Sequence, residues 1–181
     1  MNLDENSDEV LVRLFKEGKV AAYEVLLRRH QDRIFRLANL WLFDEQQAAD
    51  ATQEVFLRGL KGLRGFRFRA SPFTWLYRTT RLVCNEFNRK RRGESLQNEP
   101  IDDTQSPVQA AAAGEVARRI RALVSGLPER QREVFVLRVF EEMSVAETAR
   151  AMGCREGTIK ALLHKANASL RGKIEFHELE L

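Results

Sequence analysis

Cysteine and histidine are both scarce in this 181-residue chain, with two of the former and three of the latter. Cys84 and Cys154 lie in different halves with no CxxC or HxxxC spacing, so inert or buried thiols are expected rather than a disulfide or a metal pair. His30, His164 and His177 form no ligand cluster, and no metal is expected. No apolar run approaches the roughly 18 residues that a membrane helix requires. The opening MNLDENSDE is acidic and polar, unlike a signal peptide. Membrane insertion is therefore not expected, and a cytoplasmic location follows. Nothing has the layout of an active site: there are no paired carboxylates in an expected pocket, no nucleophile beside a histidine and no phosphate-binding glycine loop. Neither a catalytic residue nor a cofactor is expected.

What is present is helix and cation. A composition of 44% hydrophobic and 31% charged residues fits a soluble, foldable chain with room for one ordinary domain or two small ones. Net charge is only +4, but it is concentrated. From Arg58 to Arg92 eleven Lys/Arg face a single acid, Glu86, a local charge of +10. Phe66, Phe68, Phe73, Trp75 and Tyr77 are interleaved with these cations. Cations that follow phosphates, beside aromatic faces worth about 1–3 kcal/mol per stacked base, are what a single-stranded nucleic-acid site needs. Phe73, Tyr77 and Phe87 are expected in the core instead, because they keep helical spacing.

No alternating strand pattern persists, and the fold class expected is all-α. Ser7 caps a short helix that Gly18 ends. A longer helix runs from about Val20 to Leu42, with Tyr23, Leu26, Leu27, Ile34, Leu37, Ala38 and Trp41 along one buried stripe. His30 falls on that stripe as a hydrogen-bonded core or boundary residue. Asp44 with Gln47 resembles a capping box opening a helix to about Lys61. On it Ala48, Ala51 and Val55 face inward, with Phe56 a further candidate for that face, and Asp50, Gln53 and Glu54 share a polar face at i, i+3 and i+4. A loop from Gly62 to Ala70 alternates Arg and Phe. Ser71 and Pro72 then open a helix whose inner line is Phe73, Leu76, Tyr77, Thr80, Cys84 and Phe87. Its outer line is Trp75, Arg78, Leu82, Asn85 and Arg89.

Residues 93–113 contain acids but no Lys or Arg, with prolines, serines and amides, and read as a flexible acidic linker. Ser106-Pro107 opens an Ala-rich helix to about Val124, which Ser125-Gly126 ends. PERQREVFVLRVF forms the next helix. Ser144-Val145-Ala146-Glu147 is a capping box for a short helix that stops at Gly153. A final helix from about Glu156 to Lys173 turns Ile159, Leu163, Ala166 and Leu170 inward. Helix, glycine turn and helix is the helix-turn-helix layout, whose second helix enters the major groove. The surplus of Arg150, Arg155, Lys160, Lys165, Arg171 and Lys173 over Glu156 favours DNA. The tail from residue 175 is acidic.

Two stretches carry a resemblance. TQEVFL, GFR, TWLYR and the basic helix end resemble the second conserved region of the sigma seventy family, in its short extracytoplasmic-function (ECF) subgroup. LPERQREVFVLR with SVAETARAMGCREGTIKALLHKA is similar to the fourth region. The resemblance implies a helical bundle over 1–92, a linker over 93–113, a helix-turn-helix domain over 114–174 and an acidic tail over 175–181. It implies that Asp50, Gln53, Glu54 and Phe56 dock on the clamp helices of core RNA polymerase. It implies that Phe66, Arg67, Phe68, Arg69, Trp75, Arg78, Arg81, Asn85 and Arg89 hold the separated minus-ten strand. Thr79-Thr80-Arg81-Leu82 departs from the Ile-Ala-x-Asn of many members. By groove geometry the readers of the minus-thirty-five duplex are Arg155, Glu156, Thr158, Lys160, Ala161, His164 and Lys165. Here Arg155 stands where many members cap the helix with Ser, and Ala161-Leu162 stands for Ser-Arg. The implied function is an alternative sigma factor, a dissociable promoter-specificity subunit without its own active site, held in check by an anti-sigma factor. A stand-alone helix-turn-helix regulator that binds duplex DNA is the second function class the residues permit, and an interaction protein whose basic helices bind acidic partners is a third.

Overall fold

The computed structural model describes residues 3–95 and 122–178, with side chains over 3–91 and 122–172. The chain divides into two compact units, Met1–Pro107 and Val108–Leu181, each considered by itself. Among the described residues there is helix and no strand.

In the first unit α1 (Asp8–Lys16) starts where the Ser7 side chain accepts the Val10 N–H, and Gly18 closes the turn after it at φ +98°. α2 (Val20–Leu42) ends at Phe43, a left-handed cap whose N–H donates to the Asn39 carbonyl at 2.9 Å. α3 (Glu45–Gly62) is capped by Asp44, which accepts the Gln47 N–H at 2.8 Å. Gln47 Nε2 donates to the other Asp44 oxygen at 3.2 Å, so the cap closes side chain to side chain. A 3₁₀ turn, Leu63–Gly65, leads into the loop, and α4 (Pro72–Ser95) follows the Ser71 cap, whose Oγ accepts the Thr74 N–H at 3.1 Å. α4 therefore carries helix into the first three residues of the expected linker. The linker beyond Ser95, and the Ala-rich helix up to residue 121, lie outside the described residues.

α2 is the spine of this unit. α3 and α4 both pack on it and on each other, and α1 closes its other side. Leu11, Leu26, Ile34, Leu37, Val55, Leu63, Leu76 and Tyr77 are 0–1% exposed, each worth about 1.5–3 kcal/mol on burial. Close approach needs glycine. A Cβ at Gly59 would sit 2.5 Å from the Tyr23 hydroxyl, and that hydroxyl donates to the Phe56 carbonyl. Burial pushes the Tyr23 phenol up, so it remains a donor. His30 is a hydrogen-bonded core residue, one of the two placements expected. It is 2% exposed, stacks on Phe73 at 5.4 Å, and Nε2 donates to Asp8 at 2.6 Å.

In the second unit residues 122–125 are helical, with the Gly126 N–H donating to the Ala122 carbonyl, and α5 (Glu129–Phe135) follows Pro128. The expected single helix through Phe140 is not kept: Val136–Phe140 widens to a π turn, closed by the Glu141 N–H on the Val136 carbonyl at 3.0 Å. The wider turn buries Val136 and Leu137 side by side and leaves Val139 and Phe140 about half exposed. α6 (Val145–Met152) has the expected reciprocal capping box. Ser144 Oγ accepts the Glu147 N–H at 3.2 Å, and Glu147 accepts the Ser144 N–H at 2.8 Å. Hydrogen bonds from the Ser144 side chain and backbone hold the Glu147 carboxyl below its ordinary value. α7 (Glu156–Glu178) packs on α5 and α6 through buried Ile159, Ala166 and Leu170, with Leu163 half-buried. Its backbone stays helical five residues past the expected end at Lys173, through part of the acidic tail.

Candidate nucleic-acid and polymerase interfaces

The expected single-strand residues lie on the loop after α3 and along α4. Arg64, Arg67 and Arg69 on the loop, and Arg78, Asn85 and Arg89 on α4, are all exposed. Arg81 is half-buried, and its charge bears on the Cys84 thiol, which burial pushes up to about 12. Cys84 is thus an inert thiol, as its sequence context suggests. Trp75 is half-buried, because its six-membered ring lies against the end of α3. A Cβ on Gly62 would come within 2.4 Å of that ring.

Exposed Arg/Phe alternation holds for the arginines but not for both phenylalanines. Phe66 is 7% exposed, tucked edge-on against Phe68 at 5.0 Å, and this corrects its place among surface aromatics. Phe68 is half-buried at φ +54°, a left-handed backbone rare for a bulky side chain. Arg13 and Lys16 of α1 lie over its ring. The sequence gives no sign that α1 would reach this loop.

Another cation is withdrawn from the basic surface. Arg58 Nε donates to Glu54 at 2.7 Å, and its two Nη atoms donate to both oxygens of Glu86 at 3.0 and 2.7 Å. The bidentate contact raises the arginine and holds the Glu86 carboxyl low. The one acid of the basic stretch is thereby neutralised locally, and what remains outward is cationic.

On the expected docking helix, Asp50 and Gln53 are exposed and Glu54 is half-buried in the Arg58 pair. Phe56 does not project from this face; at 6% exposure it walls a cleft between α2 and α3. That cleft, of about 360 Å³, is bounded by Tyr23, Leu27, Gln31, Thr52, Gln53, Phe56, Leu57 and Leu60. Leu57 and Leu60 are 58% and 39% exposed, an apolar rim beside the polar Asp50–Gln53 line. Two leucines three apart on the wrong side of the expected stripe were the available signal for it.

In the second unit Gly153 closes α6 at φ +63°, and the Cys154 N–H donates to the Ala149 carbonyl at 3.0 Å. The Arg155 carbonyl accepts the N–H groups of Thr158 and Ile159, at 2.9 and 3.3 Å, and so starts α7. Arg155, Glu156, Thr158, Lys160, Ala161, His164 and Lys165 are all exposed, and of these Ala161, His164 and Lys165 lie on the face of α7 opposite Ile159 and Ala166. Among the described residues no cluster of metal-ligating side chains occurs, and no helix is long and apolar enough to cross a membrane.

These two helical units, one with an aromatic and basic loop and one with a helix-turn-helix, define a nucleic-acid-binding protein of transcription. The family model for Sigma-70 region 2 matches residues 26–94, and that for Sigma-70, region 4 matches 117–170. ECF RNA polymerase sigma factor SigM of Mycobacterium tuberculosis is 32% identical over 166 residues, covering 92% of this chain and 84% of that one. RNA polymerase sigma-E factor of Streptomyces avermitilis is 30% identical over 163 residues, 90% of each. In fold the chain is similar to CnrH, solved in complex with the cytosolic domain of CnrY (TM-score 0.73, 21% identity, 94% and 98% of the two chains covered). It is similar also to the sigma factor RpoE of Bartonella quintana, solved with the anti-sigma factor NepR (TM-score 0.73, 19% identity, 84% and 96% covered). The chain belongs to the extracytoplasmic-function sigma factors of the sigma seventy family. It is an alternative sigma factor, a subunit that directs RNA polymerase to promoters.

Proposed function

We propose that the first unit, over 1–92, docks on core polymerase and traps the melted minus-ten strand, while the second, over 114–174, reads the minus-thirty-five duplex. Residues 93–113 tether the two. The observation that carries the assignment is the exposed cationic set Arg64, Arg67, Arg69 and Arg89 together with half-buried Phe68 and Trp75, while Arg58 is taken up by Glu54 and Glu86. Phe68 and Trp75 supply the aromatic surface for unstacked bases. Stacking of roughly 1.4 kcal/mol per step must be replaced when duplex opens, and capture of bases repays part of it. Asp50 and Gln53, with Leu57 and Leu60 beside them, form the docking face. Arg155, Glu156, Thr158, Ala161 and His164 reach base edges, and Lys160 and Lys165 hold phosphates.

The chemistry of transcription belongs to the polymerase on this reading, and the chain supplies promoter specificity in the cytoplasm without an active site of its own. An anti-sigma factor controls it; among the proteins of similar fold, the sigma factor RpoE of Bartonella quintana was solved in complex with one. The test is reconstitution with core polymerase on candidate promoters, probing for permanganate-reactive thymines. Reactive thymines upstream of the start site are expected. Duplex binding with no opening on any genomic promoter would mark a stand-alone regulator.

A further inference from the structure

α1 carries no mark of a nucleic-acid site in its sequence, yet three of its residues meet the loop. The Arg13 guanidinium lies 5.2 Å and the Lys16 ammonium 5.4 Å from the Phe68 ring centre. Lys16 also donates to the Phe66 carbonyl at 2.8 Å, across 50 residues of sequence. In return the Arg64 guanidinium lies 5.8 Å from the Phe15 ring. Arg13 and Lys16 are three apart, so they share one face of α1, and both are exposed. Phe68 holds a left-handed backbone that persists only where its surroundings over-determine it. The α1 cations and the edge of Phe66 are those surroundings.

An unpaired strand presents a phosphate for every turned-out base, and a site for it needs cations flanking an aromatic face. Arg13 and Lys16 lie over the half-buried Phe68 ring, Arg64 lies over the neighbouring Phe15, and Arg67 and Arg69 on either side of Phe68 in the loop are exposed. We propose that α1 is part of the single-strand site, with Arg13 a phosphate contact beside Phe68 and Lys16 the positioning residue that fixes the loop through the Phe66 carbonyl. This rests on the minus-ten reading above and extends it to an element outside the residues that reading names.

The test uses holoenzyme reconstituted with full-length variants, binding fork-junction promoter DNA whose minus-ten segment is single-stranded, across a salt titration. Arg13→Gln should lose about fivefold to thirtyfold in affinity, and its slope of log affinity against log salt should become shallower by about 0.7. Lys16→Met should lose a similar factor and change the pattern of permanganate-reactive thymines, with Lys16→Arg restoring both. Core-polymerase affinity and thermal melting should stay unchanged throughout. Unchanged DNA affinity and slope in both variants, while Arg67→Gln is impaired, would overturn the role of α1 and leave the loop assignment standing. If Arg67→Gln is unimpaired too, the minus-ten reading itself is wrong. A loss with no change of slope would mean that Arg13 only packs on Phe68. A loss confined to core-polymerase affinity would make α1 a contact for an acidic protein surface. Either overturns the proposal.

Discussion

Asp8 shows how one side chain ties two helices together. It lies on α1, yet it accepts from His30 Nε2 and from Arg29 Nη1 of α2, each at 2.6 Å. Burial alone would push its carboxyl up, but the hydrogen bond and charge of His30, then those of Arg29, outweigh burial and hold it below its ordinary value. A depressed carboxyl contributes stability that is present above the unfolded value and disappears as pH falls through the folded one. Asp8→Asn should therefore cost about 1–3 kcal/mol at pH 7, with the gap to the parent protein closing below about pH 4. Thermal melts across that range check it, and a gap independent of pH would refute the linkage. Gly62 has a different constraint: it is helical, but its missing Cβ is the space that Trp75 fills. Gly62→Ala should shift Trp75 fluorescence and reduce promoter opening about tenfold, with minus-thirty-five duplex binding unaffected. Neither relation was legible in the sequence. Capping and periodicity describe a residue's own helix, whereas these contacts depend on which turn of another helix comes near.

At the level of elements, the expected α2 matched the observed Val20–Leu42 because 23 residues of steady three/four spacing leave little freedom in placing its ends. The Ser7, Asp44 and Ser144 caps and the Gly153 stop were legible for the same local reason. Composition failed where pairing decides. It counts Arg58 as a surface cation and Phe66 as a surface ring, but one is clamped between two carboxylates and the other is packed under the loop. The clamp also joins α3 to α4. Arg58→Met keeps the stem and removes the charge, so it should destabilise the first unit by about 1 kcal/mol, a modest figure because all three side chains are about one-third exposed. Chemical denaturation measures this. Glu54→Lys should weaken polymerase binding if Glu54 belongs to the docking face, but it breaks the same clamp. Glu86→Gln, which loosens the clamp from the other side, separates the causes: equal loss of polymerase affinity in both would remove Glu54 from the docking assignment.

For the whole molecule, the chain folds as two compact units, and on the proposed function their surface charges serve different forms of DNA. Substitutions with no shared partner add in free energy. Arg67→Gln in the first unit and Lys160→Gln in the second should each weaken holoenzyme binding to a complete promoter by about tenfold. The double variant should lose about a hundredfold. Competition assays on promoter fragments read all three, and a double loss well short of the product would mean that the two grips share a step.

Gly153 adds a last consequence. It is exposed, and a side chain built there would meet nothing within 4 Å, so the left-handed torsion at φ +63° is its whole restriction. The chain enters α7 through this one torsion, and α7 is then held by its packing on α5 and α6. Asparagine, which tolerates that rotation, should pass unnoticed in thermal melts, whereas valine should strain the corner and lower the melting temperature of the second unit. One solvent-facing position thus limits stability through backbone geometry alone, with no change to the interior.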